Sequence, residues 1–230
     1  MRRILFTAAN QEEIECAQHA FRLYENQLAE NIKVDFMLTG IGTTSTCYRL
    51  TKKILEANFE KFPYTLIINI GIAGSFNLSS LPIGTSIVIE KEYFGDLGFE
   101  NMFGFQTLFQ YELLDADVFP YKGGALYREK LEEPLENLLT KYDSATGVTV
   151  QTVSGDPNRV EDMKKRFLPD IESMEGAAIY YVCLQEKISC FELRTVSNEV
   201  GERDKNKWNI PAALKSLTGC CKEILNTVSH

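Results

Sequence analysis

Ser173–Met174–Glu175–Gly176–Ala177–Ala178, taken together with Arg194–Thr195–Val196–Ser197–Asn198, is the part of the chain from which the rest can be read. The first stretch predicts the start of a buried helix over 174–184, because Ala177, Ala178, Ile179, Tyr181, Val182, Cys183 and Leu184 are apolar almost all round. Glu175 puts a carboxylate at the head of that apolar surface, where a charge is costly unless something pairs with it. The second stretch predicts a strand over 191–196 that stops at the polar pair Ser197 and Asn198. A carboxylate at a helix start and an amide at a strand end suit a ligand pocket in an α/β fold. A satisfied buried glutamate and a turn asparagine would leave the same trace, so these two features alone leave both readings open.

Outward from there, strands and helices alternate. A strand over 3–9 precedes a helix over 12–28, with Ala17, Phe21, Tyr24 and Leu28 on one face. A strand over 33–38 runs into Thr39–Gly40–Ile41–Gly42–Thr43–Thr44 and a helix through Leu50 and Ile54. A glycine-rich strand-to-helix turn of this kind can cradle an anion or a ribose, or it is simply a tight turn. The apolar strand over 64–70 ends in Gly71–Ile72–Ala73–Gly74, where the small residues let backbone approach a ligand. A further strand is expected over 83–90, an amphipathic helix over 128–142 and a strand over 147–153. A short polar helix over 159–167 follows, then a charged loop over 201–209 and a last helix from Pro211. The segment 91–124 breaks the rhythm with Tyr93, Phe94, Phe99, Phe103, Phe105, Phe109, Tyr111, Phe119 and Tyr121, a composition suited to a partner contact and pocket wall. The pattern is α/β throughout, with one domain over 1–230.

Composition bounds the function. At 44% hydrophobic and 24% charged residues the chain is not disordered, coiled-coil or collagenous. A net charge of −8 argues against a nucleic-acid partner, and no apolar run reaches membrane-spanning length. The six cysteines form no CxxC pair, which fits reduced thiols in a cytoplasmic protein. With only His19 and His230, the composition argues against a histidine metal site or a Ser–His–Asp triad, and acid–base work falls to carboxylates, amides or water.

Five turns occur in one order: Thr39–Gly40–Ile41–Gly42, Asn69–Ile70–Gly71–Ile72–Ala73–Gly74–Ser75, Ser154–Gly155–Asp156, Ser173–Met174–Glu175–Gly176–Ala177–Ala178 and Arg194–Thr195–Val196–Ser197–Asn198. The set resembles the nucleoside phosphorylase/nucleosidase superfamily over nearly the whole chain. Within it, the pieces Phe94–Gly95–Asp96–Leu97–Gly98–Phe99–Glu100 and the 197–209 stretch are similar to the futalosine hydrolase group. The resemblance implies a three-layer α/β/α sandwich around a central mixed sheet, and hydrolysis of the N-glycosidic bond of futalosine, a step of an alternative menaquinone pathway, to release hypoxanthine. It implies that Met174 and Glu175 bind the ribose, with hydroxyl partners that arrive with the ligand. It also implies that Glu13 (or, with a one-residue shift, Glu12) activates water. Adenine nucleosidases carry an aspartate where this chain has Asn198 and a serine where it has Ile72. An amide NH₂ can donate to N7 or to a 6-oxo group, which favours a hypoxanthine-type base. Ile72 and Gly74 would line the substrate. Arg203 and Trp208 would meet the non-purine end, where futalosine bears an aromatic carboxylate. No metal and no organic cofactor is implied. The expected partner is a small nucleoside together with a second copy of the chain, in a homodimer or larger homo-oligomer with 91–124 at the contact. Competing expectations are a methylthioadenosine-type nucleosidase, a purine phosphorylase and a non-catalytic nucleoside-binding protein.

Overall fold

The computed structural model describes residues 2–102 and 104–229; Phe103 and His230 lie outside them. The elements run β1 (Arg2–Ala8), α1 (Gln11–Tyr24), β2 (Ile32–Leu38), α2 (Thr43–Phe59), β3 (Leu66–Ser75) and β4 (Ser86–Phe94). Next come β5 (Gly98–Asn101), β6 (Gly104–Thr107), β7 (Leu126–Tyr127), α3 (Leu135–Leu139), β8 (Asp143–Thr149), α4 (Pro157–Phe167), β9 (Ile171–Ser173), α5 (Gly176–Glu186), β10 (Ser189–Glu199) and α6 (Ile210–Val228). The α/β domain is present as expected.

The central mixed sheet lies between two helical layers, but it is not strictly a sandwich, because part of the sheet closes on itself. β3 is ten residues long, and its two ends have different neighbours. Leu66–Asn69 pairs in parallel with β1, whereas Gly74 and Ser75 pair antiparallel with β9. β10 pairs with β3 along its whole length and also with β4, which reaches β9 through β8. The order β3–β10–β4–β8–β9 therefore returns to β3, and this part of the mixed sheet closes into a small barrel with β1 and β2 as an open wing. Twist makes such closure possible once one strand is long enough to be shared. Ala73, Ile87, Ile89, Ala145, Ile171 and Val196, drawn from all five ring strands, pack into one cluster.

Alternation along the strands divides the remaining core between two helical layers. Ile4, Phe6, Ile68, Ile70, Phe191 and Leu193 pack with α1, α3 and α6. Leu5, Ile67 and Cys190 pack with α2 and α5. Successive strand residues point to opposite faces, so these apolar runs are the mark of strands covered on both sides.

Two local expectations are corrected, and one element is new. The helix over 128–142 is only the five-residue α3, because Pro134 interrupts the repeat and Arg128 is drawn into ion pairs with Glu90 and Glu136. The strand over 191–196 does not stop at Ser197: β10 continues to Glu199 through an irregularity between Val196 and Asn198. β9 was not expected, since three residues are too few to show a period. Among the described residues no helix is long and apolar enough to cross a membrane.

Candidate active site

The carboxyl ends of β1, β3 and β10 meet the head of α5 around a cleft of about 170 Å³. Glu13, Ile72, Gly74, Met174, Glu175, Asn198, Arg203 and Trp208 all line it, whereas Glu12, the alternative to Glu13, does not. The enclosed part has room for the compact portion of a small molecule.

Glu13 enters from the first turn of α1. Asn10 caps that helix by accepting the Glu13 N–H at 3.1 Å, and this cap turns the Glu13 side chain inward. Glu13 is buried and faces the cleft, while Glu12 is exposed. The two carboxylate oxygens accept the backbone N–H groups of Ile72 at 3.0 Å and Ala9 at 3.2 Å. Burial pushes the Glu13 carboxyl above its ordinary range, against the lowering effects of Arg194 and the Ile72 N–H. A carboxylate so tuned is suited to take a proton from water.

Glu175 stands at the N-cap position of α5, one residue before the helix begins. It is not left waiting for a ligand: Gly42 donates its N–H to Oε1 at 3.0 Å, and Arg194 Nη2 lies 3.6 Å from Oε2. The anion cradled by the glycine turn is therefore the protein's own Glu175, held at the amino end of α2 where the helix dipole favours negative charge. Gly42 adopts φ 87°, and a side chain there would meet Gln151 Oε1 at 2.7 Å.

Asn198 is aimed by the irregularity in β10, which rotates the chain end as bulges beside active sites commonly do. Its Oδ1 accepts from the Ser197 hydroxyl at 2.7 Å, and its NH₂ donates to the Glu199 carbonyl at 2.8 Å. One amide hydrogen is left over for the cleft. A side chain at Gly74 would come within 3.3 Å of Asn198 Nδ2 and 3.0 Å of Val200, so glycine keeps this end open. Arg203 is exposed, with its guanidinium 5.3 Å from the centre of the Trp208 ring.

Two lining or adjoining residues carried no role in the sequence reading. Glu172, on β9, accepts the Ser154 N–H at 3.0 Å and also the Ser154 hydroxyl. Burial pushes its carboxyl up, and the Ser154 bonds oppose this. The Ser154–Gly155–Asp156 turn signalled that partner without identifying it. The other is Arg194, within β10. Its guanidinium is fully buried; burial works against its charge, but Glu192, Glu175 and Glu13 outweigh that cost and keep it protonated. Gly71 makes room for it, since any side chain there would collide with Arg194 and approach Glu13 Oε1 to 3.1 Å.

Comparison with known proteins fits this geometry. The chain is 28% identical over 192 residues to the futalosine hydrolase of Acidothermus cellulolyticus, which covers 80% of this chain and 71% of that protein. It is 28% identical over 193 residues to the futalosine hydrolase of Thermus thermophilus, covering 83% and 80%. The fold is similar to a crystal structure of the 5′-methylthioadenosine/S-adenosylhomocysteine nucleosidase of Helicobacter pylori, with a TM-score of 0.73 at 17% identity over 99% of this chain and 97% of the other. The sequence model of the phosphorylase superfamily matches residues 3–226. The chain is a member of the phosphorylase superfamily.

Proposed function

We propose that the protein is an N-glycosyl hydrolase that cleaves futalosine to hypoxanthine and the dehypoxanthine sugar. The observation that carries the hydrolytic part is Glu13. The Ala9 and Ile72 N–H groups, which could have received a phosphate, are already occupied by its carboxylate. Negative charge at that point repels phosphate and suits a water nucleophile. As the C1′–N9 bond loosens, the sugar takes on oxocarbenium character. Glu175, preset by Gly42 and Arg194, accepts hydrogen bonds from the ribose hydroxyls beside Met174. Glu13 removes a proton from the attacking water.

The choice of base rests on Asn198. Negative charge develops on the departing purine, and the free amide hydrogen stabilises it at N7 or O6 without transferring a proton. Oδ1 accepts from Ser197 and keeps a second lone pair, so what sets the amide apart from a carboxylate at this position is the N–H that it can still donate. That favours a 6-oxopurine over a 6-aminopurine. The exposed Arg203 is suited to the aromatic carboxylate at the far end of futalosine. Similarity to futalosine hydrolases over most of the chain supports the same substrate. The active form is a homodimer that uses exposed apolar side chains of 91–124, among them Met102, Tyr111, Leu113, Val118 and Phe119. Initial rates with futalosine, inosine and methylthioadenosine test the reading. Futalosine should give the highest kcat/KM; preferential release of adenine from methylthioadenosine would replace it with the rival nucleosidase.

A further inference from the structure

Behind Glu175 lies a second layer of charge that the reaction above does not use. Glu92 of β4 and Glu192 of β10 are both completely buried. Glu92 Oε2 accepts from the Thr149 hydroxyl at 2.8 Å, and Glu192 Oε1 accepts from Arg194 Nε. The other oxygens, Glu92 Oε1 and Glu192 Oε2, are buried without a hydrogen-bond partner. Those same two oxygens converge on one point: a side chain at Gly176, the first residue of α5, would strike both. Two buried carboxylate oxygens that lie against the same point, neither with a hydrogen-bond partner, are poorly compatible with two charges, and a single proton on the pair removes the repulsion.

We infer that Glu92 and Glu192 share one proton beneath the head of α5, and that Glu192, so held, is a positioning residue that fixes Arg194 and through it Glu175 and Glu13. This inference rests on the roles proposed above for those two carboxylates. The groups facing Glu192 are Arg194 on its own strand, Glu92 from β4, Glu175 at the head of α5, Tyr180 within α5 and the Asn69 amide from β3, while Glu13 from α1 acts on Arg194. The Asn69 amide steadies the Glu192 charge, although its nitrogen completes no hydrogen bond of ordinary geometry. Burial, then the Glu192 charge, pushes the Glu92 carboxyl well above its ordinary range. Burial raises Glu192 as well, and Arg194 opposes it. Glu192 Oε1 accepts from the Arg194 guanidinium whereas Glu92 accepts from the neutral Thr149 hydroxyl, so the proton is assigned to Glu92 and Glu192 is the anion that orients Arg194. Without that anchor the guanidinium would be free to collapse onto Glu13 or Glu175, and a displacement of about 1 Å at such a site costs on the order of 10²-fold in rate.

Two isosteric variants test this. Infrared difference spectra of the purified protein near neutral pH should contain a protonated-carboxyl stretch that Glu92→Gln removes. The Glu192→Gln amide can still accept from Arg194 and donate to Glu92, so the geometry survives while a negative charge beside Arg194 is lost. Arg194 then lowers the Glu13 pKa further, and the acid limb of kcat/KM should move to lower pH. That limb is measured on whichever of futalosine, inosine and methylthioadenosine is cleaved fastest, so a wrong substrate assignment would show in the choice of substrate and not in the limb. An infrared spectrum unchanged by Glu92→Gln, or an acid limb in Glu192→Gln identical to wild type, would overturn the inference.

Discussion

Glu13 has to be ionised to act as a base, yet burial raises its pKa. As pH falls through that raised value the base is lost, so kcat/KM should show an acid limb above the pH of about 4.3 expected for an ordinary glutamate. Glu13→Gln should lower kcat by roughly 10²–10⁴-fold and abolish the limb. An active variant with the same profile would remove Glu13 from the mechanism. Asn198→Asp tests the opposite end of the cleft. An ionised aspartate offers only acceptors to O6 of hypoxanthine, a buried mismatch of about 1–3 kcal/mol, or roughly 5- to 150-fold in kcat/KM. Activity on futalosine should fall by that factor relative to its 6-amino counterpart. An unchanged ratio of the two activities would mean that Asn198 does not read the base. The types of these residues were legible in the sequence, and so was their likeness to a family. Their partners were not: nothing local says that Gly42 donates to Glu175, 133 positions away, or that Glu172 closes on Ser154.

At the scale of elements, the glycine turn before α2 works as a clamp. Gly42→Ala would place a side chain at φ 87°, which costs an L-residue about 1–2 kcal/mol, and would push against Gln151 as well. The melting temperature should fall, and kcat/KM should fall with it as Glu175 loses its alignment. A variant that melts lower with unaltered kinetics would make the turn a structural feature only. Strongly periodic elements such as α1 and α6, and apolar runs such as β1 and β3, could be read in advance. What could not be read was set by distant contacts. The repeat over 128–142 looked helical until Pro134 and the Arg128 ion pairs are taken into account. Glu192 sat unnoticed within an apolar strand, because a buried charge is recognisable only once its partner is in place.

Closure of the sheet belongs to the whole molecule. It depends on β3 pairing with β1, β9 and β10 at once, and such sharing between segments far apart in the chain leaves no mark in a local pattern. The exposed apolar surface is a property of the same scale. Besides the 91–124 segment, α2 presents Tyr48, Leu55 and Phe59 to the outside. Surfaces of this kind mark interaction sites. Sedimentation equilibrium should return a dimer, and Phe119→Glu should weaken it; a fully active monomer at assay concentration would exclude the proposed assembly.

The central claim is hydrolysis by a carboxylate-held water on a 6-oxopurine nucleoside. It is tested most directly by turnover of futalosine in ¹⁸O-labelled water, with and without inorganic phosphate. The expected result is hypoxanthine release at a rate indifferent to phosphate, with the label in the C1′ hydroxyl of the sugar. A requirement for phosphate with formation of the sugar 1-phosphate, or no hypoxanthine release from futalosine at all, would contradict it.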